Sequence, residues 1–207
     1  MKKFVVLTDS TCDLPDELAK QHDIDILCFK IALDGEGYTE RVDFTPEQFC
    51  QMLRNATGLP TTAQITQFEF MERFEEYDRQ GVEQALYISI NAGGSGTNAA
   101  AHAAAAQFYE EHPESRMEIF IVDSHAYSMA EGAGVIEAKQ KLDAGETMES
   151  VVEYLNDKYA KMEILLTAYT LKVIRKSGRI SAAAAIAGDL LGIHPIFTLN
   201  DGVSQVV

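Results

Sequence analysis

Residues 84–98 read Gln84-Ala85-Leu86-Tyr87-Ile88-Ser89-Ile90-Asn91-Ala92-Gly93-Gly94-Ser95-Gly96-Thr97-Asn98. The run from Gln84 to Ile90 has the length and apolar content of a buried strand, and the alanine-dense stretch from Asn98 to Glu111 reads as a helix. A strand passed to a helix through a short glycine-rich loop is half of a βαβ unit.

The alternation continues in both directions. Upstream, Phe4 to Leu7 reads as a strand, ending in Thr8-Asp9-Ser10-Thr11-Cys12-Asp13-Leu14-Pro15. There Asp13 is placed to cap a helix whose first turn holds Pro15, Asp16 and Glu17. Ile24 to Leu33 reads as one strand and Asp34-Gly35-Glu36-Gly37 as a turn. Thr45-Pro46-Glu47 opens a helix to about Asn55, Gly58-Leu59-Pro60 breaks the chain, and Thr66 caps a helix to about Gln80. Downstream come a strand from Met117 to Val122, a helix from Ser128 to Leu142, a helix after Gly145-Glu146-Thr147 reaching about Lys161, and a strand from Ile164 to Tyr169. The pattern predicts an α/β fold: a three-layer, parallel-sheet domain over residues 1–161, with helices on both faces of the sheet. Small residues around Ser181-Ala182-Ala183-Ala184-Ala185 and Leu190-Leu191-Gly192 mark a second, smaller α/β domain over 162–207. Asp201-Gly202 signals a hairpin and the residues after it a strand just begun, so this second domain is expected to be incomplete.

Composition excludes several functions. Lysine and arginine number 17 against 32 acidic residues in 207, a formal charge of −15. Such a surface repels phosphate backbones and anionic bilayers, so neither nucleic acid nor stable membrane insertion is expected. The three cysteines, Cys12, Cys28 and Cys50, form no CxxC pair, which argues against a disulfide framework or structural zinc and for a reducing, cytoplasmic setting. The apolar run after Met1-Lys2-Lys3 stops at Leu7, too short for a signal peptide.

In open α/β sheets ligands sit beyond the carboxyl ends of the strands, so three loops carry the candidates: Asp9-Ser10-Thr11, residues 91–98, and Asp123-Ser124-His125. Free amides and the dipole at a helix N-terminus favour an anion at the middle loop, where Ser95 and Thr97 add hydroxyls. The bland alternative is a helix cap with glycines for geometry. A P-loop is excluded, because no lysine precedes the serine or threonine. Residues 94–99 fit the G-x-G-x-x-A dinucleotide fingerprint, with Asp123 near the place of a ribose-binding acid. No nucleophile elbow, HExxH or C-x5-R pattern is present. His125 is the one histidine on this edge, and a second reading brings Asp9, Asp13 and Asp123 together there as oxygen ligands for a metal, although capping explains Asp13 equally well.

Together these segments resemble the DegV family of bacterial fatty-acid-binding proteins, over essentially the whole chain. Thr8 to Pro15 is similar to the family's opening motif, Thr62-Ala63-Gln64-Ile65-Thr66 to its T-S-Q-P-S segment, and Ser95-Gly96-Thr97 to its S-G-T loop. Val122-Asp123-Ser124 resembles its D-S, Ser177-Gly178-Arg179-Ile180-Ser181 its G-G-R-I-S turn, and Ile193-His194-Pro195-Ile196 its following strand. Ala63, Ile65 and Asn91-Ala92 depart from the family's usual residues. The resemblance implies a two-domain protein with no catalytic residues, metal or cofactor of its own. It would hold a long-chain fatty acid by its carboxylate through Thr62, Ser95, Gly96 and Thr97, with Ser10, Asp123 and Ser124 as further ligand-edge residues. It further implies a fatty acid kinase catalytic subunit as partner, phosphorylating the carboxylate for phospholipid synthesis, with Arg179 facing the phosphate. Two other readings stay open: a dinucleotide-dependent oxidoreductase on the 94–99 loop, and a small sugar- or triose-binding protein.

Overall fold

The computed structural model describes residues 3–167, 195–200 and 203–207. Four parallel strands form the main sheet: β1 (Phe4–Asp9), β2 (Ile24–Leu27), β6 (Gln84–Ser89) and β7 (Glu118–Asp123), in the order β2-β1-β6-β7. The registers Val6↔Ile24, Val6↔Leu86 and Leu86↔Phe120 align the strands. From β1 the chain moves outward to β2 and later, through β6, to β7 on the other side. The point where the direction reverses lies between β1 and β6, and in open α/β sheets ligands sit beyond the strands' carboxyl ends at such a point.

Strand side chains alternate between two cores. Val5, Leu7, Ala85 and Tyr87 point to one face, covered by α3 (Gln67–Arg79) and α4 (Thr97–Glu111). Phe70, Phe74 and Phe108 are fully buried there, with Phe70 and Tyr87 ring centroids 4.8 Å apart. Each such ring contributes about 2–3 kcal/mol by leaving water. Val6, Leu86, Ile88 and Val122 point to the other face, covered by α1 (Asp16–Gln21), α5 (Met129–Asp143) and α6 (Met148–Lys161). Helices on both faces of a parallel sheet are the expected three layers.

Two smaller sheets are antiparallel. The first has the order β4-β3-β5, from β3 (Lys30–Leu33), β4 (Glu36–Thr39) and β5 (Thr61–Ala63); between β4 and β5 lies α2 (Pro46–Asn55). The second has the order β10-β9-β8, from β8 (Leu165–Thr167), β9 (Ile196–Asn200) and β10 (Val203–Val206). Several expectations are corrected. The strand expected over Ile24 to Leu33 is two strands in different sheets, because the chain leaves the main sheet at Cys28-Phe29. Asp34 and Gly35, at φ 51° and 89°, form a two-residue turn, and Glu36 already belongs to β4. Asp13 caps no helix N-terminus: it ends the 3-10 turn Ser10–Cys12 at φ 52°, and α1 begins after Pro15 without a side-chain cap. Thr66 does cap α3, in a reciprocal capping box with Glu69.

Candidate functional site

Tight glycine contacts build the 91–97 loop. A Cβ on Gly96 would lie 2.0 Å from Gln64 Oε1, so the loop tip rests against the residue that follows β5. This contact brings the Thr61-Thr62-Ala63-Gln64 segment of the small sheet to the Ser95 loop of the large one. Thr62 is exposed and sits opposite Ile31 in the β3–β5 ladder. Ser95 Oγ lies 2.9 Å from Thr97 Oγ1 and accepts from the Thr97 N–H at 3.3 Å. Gly96 is the N-cap of the 15-residue α4 and has no side chain to satisfy the first turn's amides. Two hydroxyls and a helix dipole therefore stand together at an anion-favouring end.

The same contacts oppose the dinucleotide reading. A Cβ on Gly94 would lie 1.9 Å from Tyr127 Oη, and Gln64 fills the equivalent place at Gly96. The glycines thus accommodate this chain's own side chains, where the fingerprint needs open backbone for a pyrophosphate. Asp123, expected on a ribose, instead accepts from the Ala92 N–H at 3.1 Å and the His125 N–H at 2.9 Å.

Ser10, Asp123 and Ser124 stand at the strand ends with local partners. The buried Ser10 hydroxyl accepts from the Phe29 N–H at 3.0 Å and donates to Glu40 at 2.5 Å, tying β1 to the small sheet. Buried Ser124 accepts from the Ala126 N–H at 3.1 Å. Arg179 and its turn, with His194, lie outside the described residues.

Beneath the loops lies a buried knot that the sequence did not disclose. Both Asp9 oxygens are occupied: Oδ1 accepts from the Thr11 N–H and hydroxyl, and Oδ2 from the Tyr87 hydroxyl at 2.8 Å and the Ile90 N–H at 3.0 Å. Glu131 of α5 is fully buried beside it. Thr8 Oγ1 lies 3.0 Å from both Ile88 O and Glu131 Oε1, while Thr11 Oγ1 reaches Asp9 and, at 3.2 Å, Glu131 Oε2. Two hydroxyl protons can serve only two of these four contacts; a protonated Glu131 supplies a donor for a third. Burial raises both carboxyls, and neighbouring Asp9 pushes Glu131 further, well above the ordinary range. With two backbone amides aimed at Asp9, Glu131 is the acid that keeps the proton.

The oxygen-rich metal site considered for Asp9, Asp13 and Asp123 is not assembled, since Asp9 and Asp123 are committed to these donors. Among the described residues one group has metal-ligand spacing, Glu75, Glu111 and His112, with ligand atoms within 4.8 Å of one another. It lies at the far end of α4 from the Ser95 loop. No helix of the described residues is long and apolar enough to cross a membrane.

Comparisons with known proteins identify this architecture. The model of the DegV family, described as uncharacterised proteins, matches residues 3–207. A DegV domain-containing protein of Clostridium perfringens is 34% identical over 97% of this chain and 68% of its own length. A fatty-acid-binding DegV family protein from Thermus thermophilus superposes with a TM-score of 0.85 at 28% identity, over 99% of this chain and 70% of that one. A stearic acid-binding protein from Eubacterium ventriosum gives 0.87 at 25% identity, over 100% and 70%. Both solved relatives are named for binding a fatty acid. The reach of the match along both the sequence and the fold shows that the chain belongs to the DegV family.

Proposed function

We propose that this chain binds a long-chain fatty acid in the cytoplasm by its carboxylate and presents it to a separate fatty acid kinase subunit, with no chemistry of its own. The observation that carries the reading is the paired hydroxyls of Ser95 and Thr97 at the start of α4, held beside the Thr62 strand by the Gly96–Gln64 contact. A carboxylate suits that site, since it accepts several hydrogen bonds and gains from the helix dipole. Its acyl chain would add ~0.8 kcal/mol for each buried methylene, ample to offset the cost of association. The fatty acids bound by the Thermus and Eubacterium relatives support the same ligand class. Arg179 is assigned to the transferred phosphate, because a guanidinium pairs with it in two-pronged fashion. Kinase partner and phosphate role both rest on the family resemblance.

Ser95→Ala and Thr62→Ala should each weaken binding of the acid by about 1.5–3 kcal/mol, the value of a hydrogen bond to charge, while leaving the methyl ester nearly unaffected. Paired titrations with the acid and the ester measure this. Equal losses for both, tracking a fall in melting temperature, would reduce the two residues to structural caps.

A further inference from the structure

Tyr127 belongs to the loop after β7, yet its hydroxyl rests on the loop after β6. Its ring packs partly buried against the core between the sheet and α3–α4. Gly94 is where the hydroxyl lands, and a Cβ there would stand 1.9 Å from Oη. The two loops are also joined by the Asn91 N–H, which donates to Ala126 O at 3.0 Å. The position of the phenol is therefore set from both sides.

Its hydrogen-bonding role follows from Asn91. That side chain is fully buried, and its Oδ1 accepts from the Gly93 N–H at 2.9 Å, which fixes which end of the amide faces which way. Nδ2 then donates to Tyr127 Oη at 2.9 Å. The phenol oxygen is thus an acceptor towards the protein interior, and its own proton is left to point elsewhere. Among the described residues the phenol meets a donor, Asn91 Nδ2, and no acceptor. A phenol is a stronger hydrogen-bond donor than a serine or threonine hydroxyl because it is more acidic, and one that already accepts from an amide is polarised further. The phenol oxygen sits against Gly94, the residue before Ser95.

We propose that Tyr127 is a further specificity-determining residue of the fatty-acid site, donating its phenol proton to the bound carboxylate alongside Ser95. The inference rests on the fatty-acid reading above. It accounts for the absence of a side chain at Gly94, since any Cβ would displace the phenol, and for the burial of Asn91, whose amide orients it. Tyr127 favours the charged head group over a neutral one of the same shape, because a donor stabilises a carboxylate more than an ester carbonyl.

Tyr127→Phe keeps the ring and removes the proton. Titrated with palmitic acid and with methyl palmitate, the variant should lose about tenfold or more in affinity for the acid and little for the ester, as loss of a hydrogen bond to charge implies. A second measurement guards against a fold defect from loss of the Asn91–Tyr127 hydrogen bond. With palmitate labelled at the carboxyl carbon, the bound carboxyl should titrate at higher pH in the variant than in the wild type, because a donor to the charged form has been removed. A wild type that prefers acid to ester, with a variant whose preference and carboxyl titration are both unchanged, overturns this role alone. So does a parallel loss of acid and ester affinity with no change in the titration. A wild type that shows no preference for the acid overturns the fatty-acid reading and this inference with it.

Discussion

Asp9→Ala is expected to cost about 3–5 kcal/mol of stability, enough to unfold a marginal domain. The carboxylate serves four donors, and its removal strands the buried Tyr87 hydroxyl and the Ile90 N–H. Each orphaned buried group costs about 1–3 kcal/mol, and the cavity adds to that. The Ile90 amide leads directly into the Ser95 loop, so fatty acid affinity should fall together with stability. Urea denaturation measures the effect, and Asp9→Asn, which keeps an acceptor oxygen, should lose less. A loss under about 1 kcal/mol for the alanine variant would mean that the knot does not hold the loop in place.

Glu131→Gln is expected to act in the opposite sense, and increasingly so as pH rises. Burial, then Asp9, raises the Glu131 carboxyl well above the ordinary range. A carboxyl whose native value is raised binds its proton more tightly folded than unfolded. Its contribution is therefore fully present below the unfolded value of about 4.3, and is lost as pH rises towards the native value. In that window the slope is up to about 1.4 kcal/mol per pH unit for one proton. Glutamine does not titrate, and its amide nitrogen can donate to one of the Thr8 and Thr11 hydroxyls while its carbonyl oxygen faces the other. The variant's stability should thus gain on the wild type across that window. Parallel stability–pH curves for the two proteins would show that Glu131 carries no special proton.

Much of the large sheet was legible because buried parallel strands are continuous apolar runs, as in Val5-Val6-Leu7 and Ala85-Leu86-Tyr87-Ile88. The small sheet was not. Glu36-Gly37-Tyr38-Thr39 and Thr61-Thr62-Ala63 are short and carry no apolar alternation, while Cys28-Phe29 continues the hydrophobic character of β2 into β3 and hides the change of sheet. Ser95, Gly96 and Thr97 could be read as an anion loop because glycine and hydroxyl residues before a helix have one shared physical meaning. Glu131 could not: a glutamate in the first turn of a helix reads as a dipole partner facing water, and its partners Thr8 and Thr11 are over a hundred residues away. Tyr127 was hidden for the same reason, since only the folded contact with Gly94 gives its hydroxyl a place in the site.

The central claim is that the chain holds a fatty acid. Native mass spectrometry of the purified, folded protein, followed by organic extraction, tests it most directly. The account predicts a bound mass that extraction identifies as a long-chain fatty acid and that exchanges with added labelled palmitate. Folded protein that carries no lipid and does not take up the labelled acid, or that carries a nicotinamide, a flavin or a covalent triose instead, would contradict it.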